Sequence, residues 1–381
     1  MNSVPFFEIF GPTQTLYKIL AMSPFRTENG EIFYSKLGLV QTFTYVTICL
    51  GMALVYFKMF FEFTYFGFGN VQIVRFVVTF RLLSSILLMI LILYFTLTNH
   101  KKIRATLEVV VEVDSKLGRY CQNEQIEKAN LRLKKFSIST TCVVFTFLFL
   151  AEIYTYFQKS EKARVFYFFI SAYPRFVITL KNMTFCLFTA VLQERFKIIN
   201  RIISKKVIES KKVHKYVDPN FEKTLNDLLI LHTTLITVST EINAIYSLQL
   251  LLWIARNFTL LLADSYTLVH MICFKSIEKY YRFGIFLILN CTTYVASTYY
   301  LSRRTAKLCK QANRTKSLLL GIEIGVDQED ERNLVIVTAL NMRRNNLKIT
   351  ACHLFNMDHT LLFSIAGAAC SYLFIMLQFD L

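Results

Sequence analysis

Polar and charged residues fall along this chain in long blocks, and between the blocks lie seven apolar runs of about 20 residues. The runs cover 37–57, 76–98, 136–157, 165–192, 242–274, 280–302 and 359–379. Each is long enough for one helix to cross a hydrocarbon core of about 30 Å, so each predicts a transmembrane helix. Seven crossings put the two ends of the chain on opposite faces of the membrane.

Helix breakers are absent from much longer stretches than a bilayer needs. Nothing interrupts a helix between Pro174 and Pro219, and 221–283 holds neither Gly nor Pro. Helices of that length reach about 65 and 80 Å, so the fourth and fifth must project well beyond the membrane. Their projecting parts are amphipathic, with Ile198, Ile199, Ile202 and Ile203 on one and Leu225, Leu228, Leu229, Leu235 and Ile236 on the other. Asp218-Pro219 reads as an N-cap followed by Pro at the first helical position. Such stripes need burial, either in a helical bundle below the membrane domain or in a hairpin folded on itself. Residues 71–117 also lack Gly and Pro, which extends the second helix as a charged rod.

Between the sixth and seventh runs, an acidic start (Asp327, Glu329, Asp330, Glu331) and a basic end (Arg343, Arg344, Lys348) suit a helix dipole. Leu334, Val337 and Leu340 would be its apolar contacts, and Asn345-Asn346 its end. The chain therefore divides into an N-terminal segment (1–36), helices one to four (37–192), their extensions (193–241), helices five and six (242–302), a connection with its own helix (303–357) and the terminal helix (358–381).

Composition fixes the class. A 54% hydrophobic fraction with 36 Phe and 20 Tyr in 381 residues belongs to an all-α polytopic membrane protein. Basic residues fix the orientation, with 31 Lys and Arg on the side of the N-terminus and 8 on the other. By the positive-inside rule the N-terminus is cytoplasmic and the C-terminus extracellular. That is opposite to G-protein-coupled receptors, the obvious seven-helix alternative. The formal charge of +17 is then mostly cytoplasmic loop charge facing anionic lipid, not a nucleic-acid surface. The first 22 residues have no continuous apolar core, so the first span is expected to act as its own insertion signal. Nearly all nine cysteines lie in spans or on the cytoplasmic side, which gives no disulfide framework. No cofactor or metal set is legible.

The terminal run carries a polar series on one stripe: Ser364, Ala368, Ser371, Ile375 and Gln378, spaced four, three, four and three apart. Small and hydrogen-bonding residues on a membrane helix serve either as a packing seam or as the wall of a water-filled pore. Ser371-Tyr372, five apolar residues, then Gln378-Phe379 resembles the terminal signature of insect gustatory receptors, with Ser in place of Thr. The stretch from Thr350-Ala351-Cys352 to Phe355-Asn356-Met357-Asp358 is similar to the segment leading into that helix in the same family.

The resemblance implies a homotetrameric, ligand-gated cation channel with this helix lining a central pore, the long helices forming an anchor domain, and tastants bound near the outer face. On that reading Ser364, Ser371 and Gln378 form polar rings, Ile375 and Phe379 close the outer end, Tyr372 belongs to the signature, and Asp380 attracts cations. Leu373 stands where sugar-type members carry Glu. That departure points to bitter or deterrent ligands, with fructose-type receptors and odorant receptor subunits as alternatives. Expected partners are a small-molecule tastant, the bilayer, permeant cations, further copies of the chain and other gustatory receptors.

Charges inside spans are costly and mark function or interhelical pairing. Arg81, Glu152, Arg175 and Asp264 all fall in the outer half, together with Tyr154, Tyr156, Tyr167, Tyr173, Tyr266, Tyr280 and Tyr281. Two acids, two bases and several phenols at one depth predict a polar, aromatic-walled ligand cavity; ion pairs and an interfacial tyrosine belt are the structural alternative. An enzyme is disfavoured because His270 is the only deep histidine, and a secondary transporter because neither repeated halves nor broken helices are visible.

Overall fold

The computed structural model describes residues 72–121, 123–157, 171–212, 220–273, 277–321 and 346–378, with shorter pieces of the N-terminal arm, the first run and 335–342. Among the described residues seven helices dominate: α1 (Gln72–Thr98), α2 (His100–Leu117), α3 (Asn123–Phe157), α4 (Tyr173–Lys212), α5 (Asn220–Cys273), α6 (Ile277–Leu319) and α7 (His359–Gln378). Two small antiparallel hairpins accompany them, β1 (Phe25–Glu28) with β2 (Glu31–Tyr34) and β3 (Thr350–Ala351) with β4 (Phe355–Asn356). Within the first run, residues 43–51 are helical. Asp218-Pro219 lies outside the described residues.

Among the described residues, five helical segments are long and apolar enough to cross a bilayer: Thr79–Thr98, Glu124–Leu150, Tyr173–Ile208, Lys223–Ile272 and His359–Gln378. Large apolar side chains such as Leu87, Val143, Phe149, Phe363 and Phe374 stand exposed on their outer faces. That is the surface expected of a chain whose solvent is lipid. The protein is an all-α polytopic membrane protein.

The second helix runs on as expected, with one bend. Asn99 separates α1 from α2, yet its N–H still reaches Phe95 O at 3.0 Å, and Asn99 O accepts from Ile103 N at 2.9 Å. The hydrogen-bond ladder therefore passes through the bend. α4 has 40 residues and α5 has 54, and α6 projects as they do, with 43 residues in one piece. The last was not anticipated, although 285–320 contains no Gly or Pro.

α4 is the axis of the fold. Arg195, Phe185, Phe196, Leu180 and Leu192 are among the largest fully buried side chains, all lie on it, and no residue from 173 to 200 is exposed. The apolar stripes of the extensions meet one another: Ile199, Ile203, Leu228, Leu235 and Leu308 are all buried. Polar groups pin the register. Asn200 Nδ2 donates to Gln311 O at 2.8 Å, Thr315 Oγ1 donates to Asn200 Oδ1 at 2.7 Å, and His232 Nε2 lies 3.0 Å from Ala312 O. Arg195, wholly buried, grips Asp114 through Nε at 3.0 Å and Nη2 at 2.6 Å and also donates to Asn130 Oδ1 at 2.7 Å. The fork geometry of the guanidinium satisfies both carboxylate oxygens at once.

One expected face is corrected. In the connection before α7, Val335 and Ala339 are buried, while Val337 and Leu340 are each 54% exposed. Residues two apart on a helix point about 200° apart, so the packed face is the one opposite to that anticipated; Leu334 lies outside the described residues. The β3–β4 hairpin then seats the chain on α5. Asn243 Oδ1 accepts from Thr350 N at 3.2 Å, and Ser247 Oγ accepts from Cys352 N at 2.6 Å. Asp358 starts α7 as its cap, accepting from Thr360 N at 2.9 Å.

Candidate functional site

The outer-half charges come together in pairs. Arg81 on α1 donates Nη2 to Asp264 Oδ1 on α5. Arg175 on α4 lies 2.8 Å from Glu152 Oε1 on α3 and reaches Asn290 Oδ1 on α6 at 3.4 Å. Arg81 also stands over the Phe286 ring, 5.1 Å from its centroid. All four charged side chains are at most 15% exposed. Five helices thus contribute to one buried polar cluster, held by the ion pairs that were the structural alternative to a ligand cavity.

Tyr266 is buried on α5, about half a turn beyond Asp264 toward the outer end, with the His270 ring 6.1 Å away. Tyr173 does not join the ion pairs. Two residues from Arg175, it turns to the other side of α4 and stacks on Tyr45 at 5.4 Å. Tyr154, Tyr156 and Tyr281 lie on helices whose side chains there are outside the described residues, as Tyr167 is altogether.

Three further groups complete the cluster. Arg256 on α5 is buried and donates Nη2 to Ser85 Oγ at 2.6 Å and Nη1 to Asn257 Oδ1 at 3.4 Å. Asn290 and Tyr294 lie on the buried face of α6, with Leu287, Thr298 and Leu301. Arg256 was legible as a charge within a span. The other two carry no signal without the helix face.

The terminal helix supplies a second candidate element. Leu361 and Ala369 are buried, with Leu362, Ile365, Ala368, Leu373 and Leu377 partly so, which defines the side packed on α5 and α6. Ser364, Ser371 and Gln378 are exposed and lie on the roughly opposite side, with Gly367 beside them. Their heptad spacing keeps them nearly in line. Ser364 and Ser371 donate to Thr360 O and Gly367 O at 3.1 and 3.0 Å, which leaves their lone pairs facing outward. Ile375 is 45% exposed. Tyr372 sits at the packed edge, its ring 6.4 Å from Phe258. Phe379 and Asp380 lie outside the described residues. A seam within the protomer is therefore not the role of this stripe.

Unbroken helices running from a polar membrane cluster into a shared bundle, with a terminal helix presenting its polar face outward, define a receptor-like membrane protein. The chain belongs to the 7tm chemosensory receptor family, whose model matches residues 11–381. It is 22% identical to putative gustatory receptor 28a of Drosophila melanogaster over 414 residues, covering 96% of this chain and 90% of that one. It is 27% identical over 168 residues to gustatory receptor for bitter taste 66a of the same species, covering 42% of this chain and 31% of that one. The insect olfactory receptor OR5 of Machilis hrabei has the same fold, with a TM-score of 0.71 at 13% identity over 97% of this chain and 99% of that one. The structure of that receptor in complex with eugenol gives 0.70 at 14% identity, covering 98% and 100%.

Proposed function

We propose that the chain is a gustatory receptor that opens as a non-selective cation channel when a small-molecule tastant, of the bitter or deterrent kind, binds the outer polar cluster. The observation that carries this reading is the orientation of α7. Ser364, Ser371 and Gln378 face away from the protomer's own helices, and a polar stripe in a bilayer needs water or another chain beside it. Around a fourfold axis the stripe lines a pore, with the C-terminus outside the cell. The bitter class is favoured by Leu373 in the terminal signature and by the similarity to the bitter-taste receptor. The membrane is then the plasma membrane of a chemosensory neuron, and the partners are further copies of the chain or other gustatory receptors.

Binding opens such a channel only if the ligand prefers the open state. Whole-cell recordings from cells expressing the chain, with a panel of bitter compounds and sugars, test the reading. Inward currents are expected, and Gln378→Ala should change conductance or leak while surface expression holds. Currents indifferent to Gln378→Ala, or a tag after Leu381 reachable only in permeabilised cells, would overturn the pore assignment.

A further inference from the structure

Charge in the outer cluster does not balance. Asp264 takes Arg81 and Glu152 takes Arg175, which leaves Arg256, 91% buried, with no carboxylate within ion-pair distance among the described residues. It lies within electrostatic reach of Arg81, Arg175, Asp264 and Tyr294, so two of those four neighbours share its charge and one opposes it. A guanidinium does not lose its proton in a protein. Its charge, held in low dielectric among two others, calls for an anion.

Unused hydrogen-bonding capacity has the same sense. Arg256 Nε, Asn290 Nδ2 and the Tyr294 hydroxyl are buried without a hydrogen-bond partner, and each can donate. Beside them, Asp264 Oδ2 is a buried acceptor without a hydrogen-bond partner among the described residues. The pairing geometry also places Arg256 below the ion pairs. It stands eight residues before Asp264 on α5, about 12 Å along the helix, and meets Ser85, one turn beyond Arg81 on α1. A molecule entering from the outer face would pass Arg81 and Asp264 and meet Arg256 at the floor.

We propose that Arg256, with Tyr294 and Asn290, binds an anionic group, and that the receptor's ligands include small organic acids whose carboxylate seats there. This rests on the reading of the outer cluster as the ligand site. Arg256 supplies charge and direction, and the apolar part of the acid lies toward Phe286, beside Arg81.

Purified protein in lipid nanodiscs is melted with benzoate, with its neutral isostere benzamide, and with chloride at matched concentration. Benzoate is expected to bind about 10- to 100-fold more tightly than benzamide. Arg256→Gln should abolish that preference, Arg256→Lys should keep part of it, and Tyr294→Phe should weaken it several-fold. Circular dichroism and elution volume report whether each variant is folded, and the wild-type comparison stands without them. Equal binding of benzoate and benzamide, a preference that survives Arg256→Gln, or stabilisation by chloride equal to that by benzoate would overturn the proposal. Recordings with the same compounds separate the two readings. Currents evoked by neutral compounds alone and untouched by Arg256→Gln would sink the acid site and leave the channel standing. Benzoate preference in a protein that passes no current would do the reverse.

Discussion

Arg81 and Asp264, 183 residues apart in sequence, form an ion pair sealed from solvent, with side chains 7% and 0% exposed. Removing one partner of such a pair leaves a buried charge and costs about 3–5 kcal/mol, whereas replacing both by apolar side chains of similar volume is often neutral. Asp264→Ala should therefore depress the melting temperature and surface expression sharply, while Arg81→Met with Asp264→Leu restores both. The double variant should still lose its response to tastants. A restored response would assign the pair to architecture alone.

His353, at the tip of the β3–β4 hairpin, is exposed and has φ 59°, and Cys352 beside it has φ 48°. Left-handed backbone costs an ordinary residue about 1–2 kcal/mol, and most for a β-branched one. His353→Val should lower stability by about 1–2 kcal/mol, whereas His353→Gly should leave it unchanged or raise it by up to about 1 kcal/mol. Thermal melts of the purified variants check this. Because the hairpin ties α5 to the start of α7, the proposed channel reading adds a change in leak for the valine variant.

His232, buried in the bundle between Phe196 and the α6 backbone, has its pKa lowered from 6.5 by burial. The unfolded chain thus takes up a proton at a pH where the folded chain does not. Stability from this residue is full above about pH 6.5 and falls as the pH drops toward the lowered folded value, by at most about 1.4 kcal/mol per pH unit. Melting curves between pH 7.5 and 5 should show this slope in the wild type and lack it in His232→Gln.

What could be read from sequence was what depends on depth or spacing. The long helices followed from the missing Gly and Pro, and the stripe of α7 from the heptad of Ser364, Ser371 and Gln378. The pairing of Arg81 with Asp264 was within reach because both lie in the outer half of antiparallel helices. What depends on which way a helix is turned was not legible. Tyr173 shares the depth of Arg175 yet stacks on Tyr45, and Val335 with Ala339 displaced Val337 and Leu340 from the packed face. A helix buried nearly all round, as α4 is, has no polar face from which its rotation could be inferred.

α5 is a single body of 54 residues with no hinge. A rod about 80 Å long that tilts by about 2° sweeps its far end through about 3 Å. Events at its outer end, near Asp264, and at its inner end, near Leu228, therefore share one mechanical fate. On the proposed channel reading, loosening the bundle and filling the outer cluster become two handles on the same lever, and variants at either end should shift the threshold for opening without touching the pore.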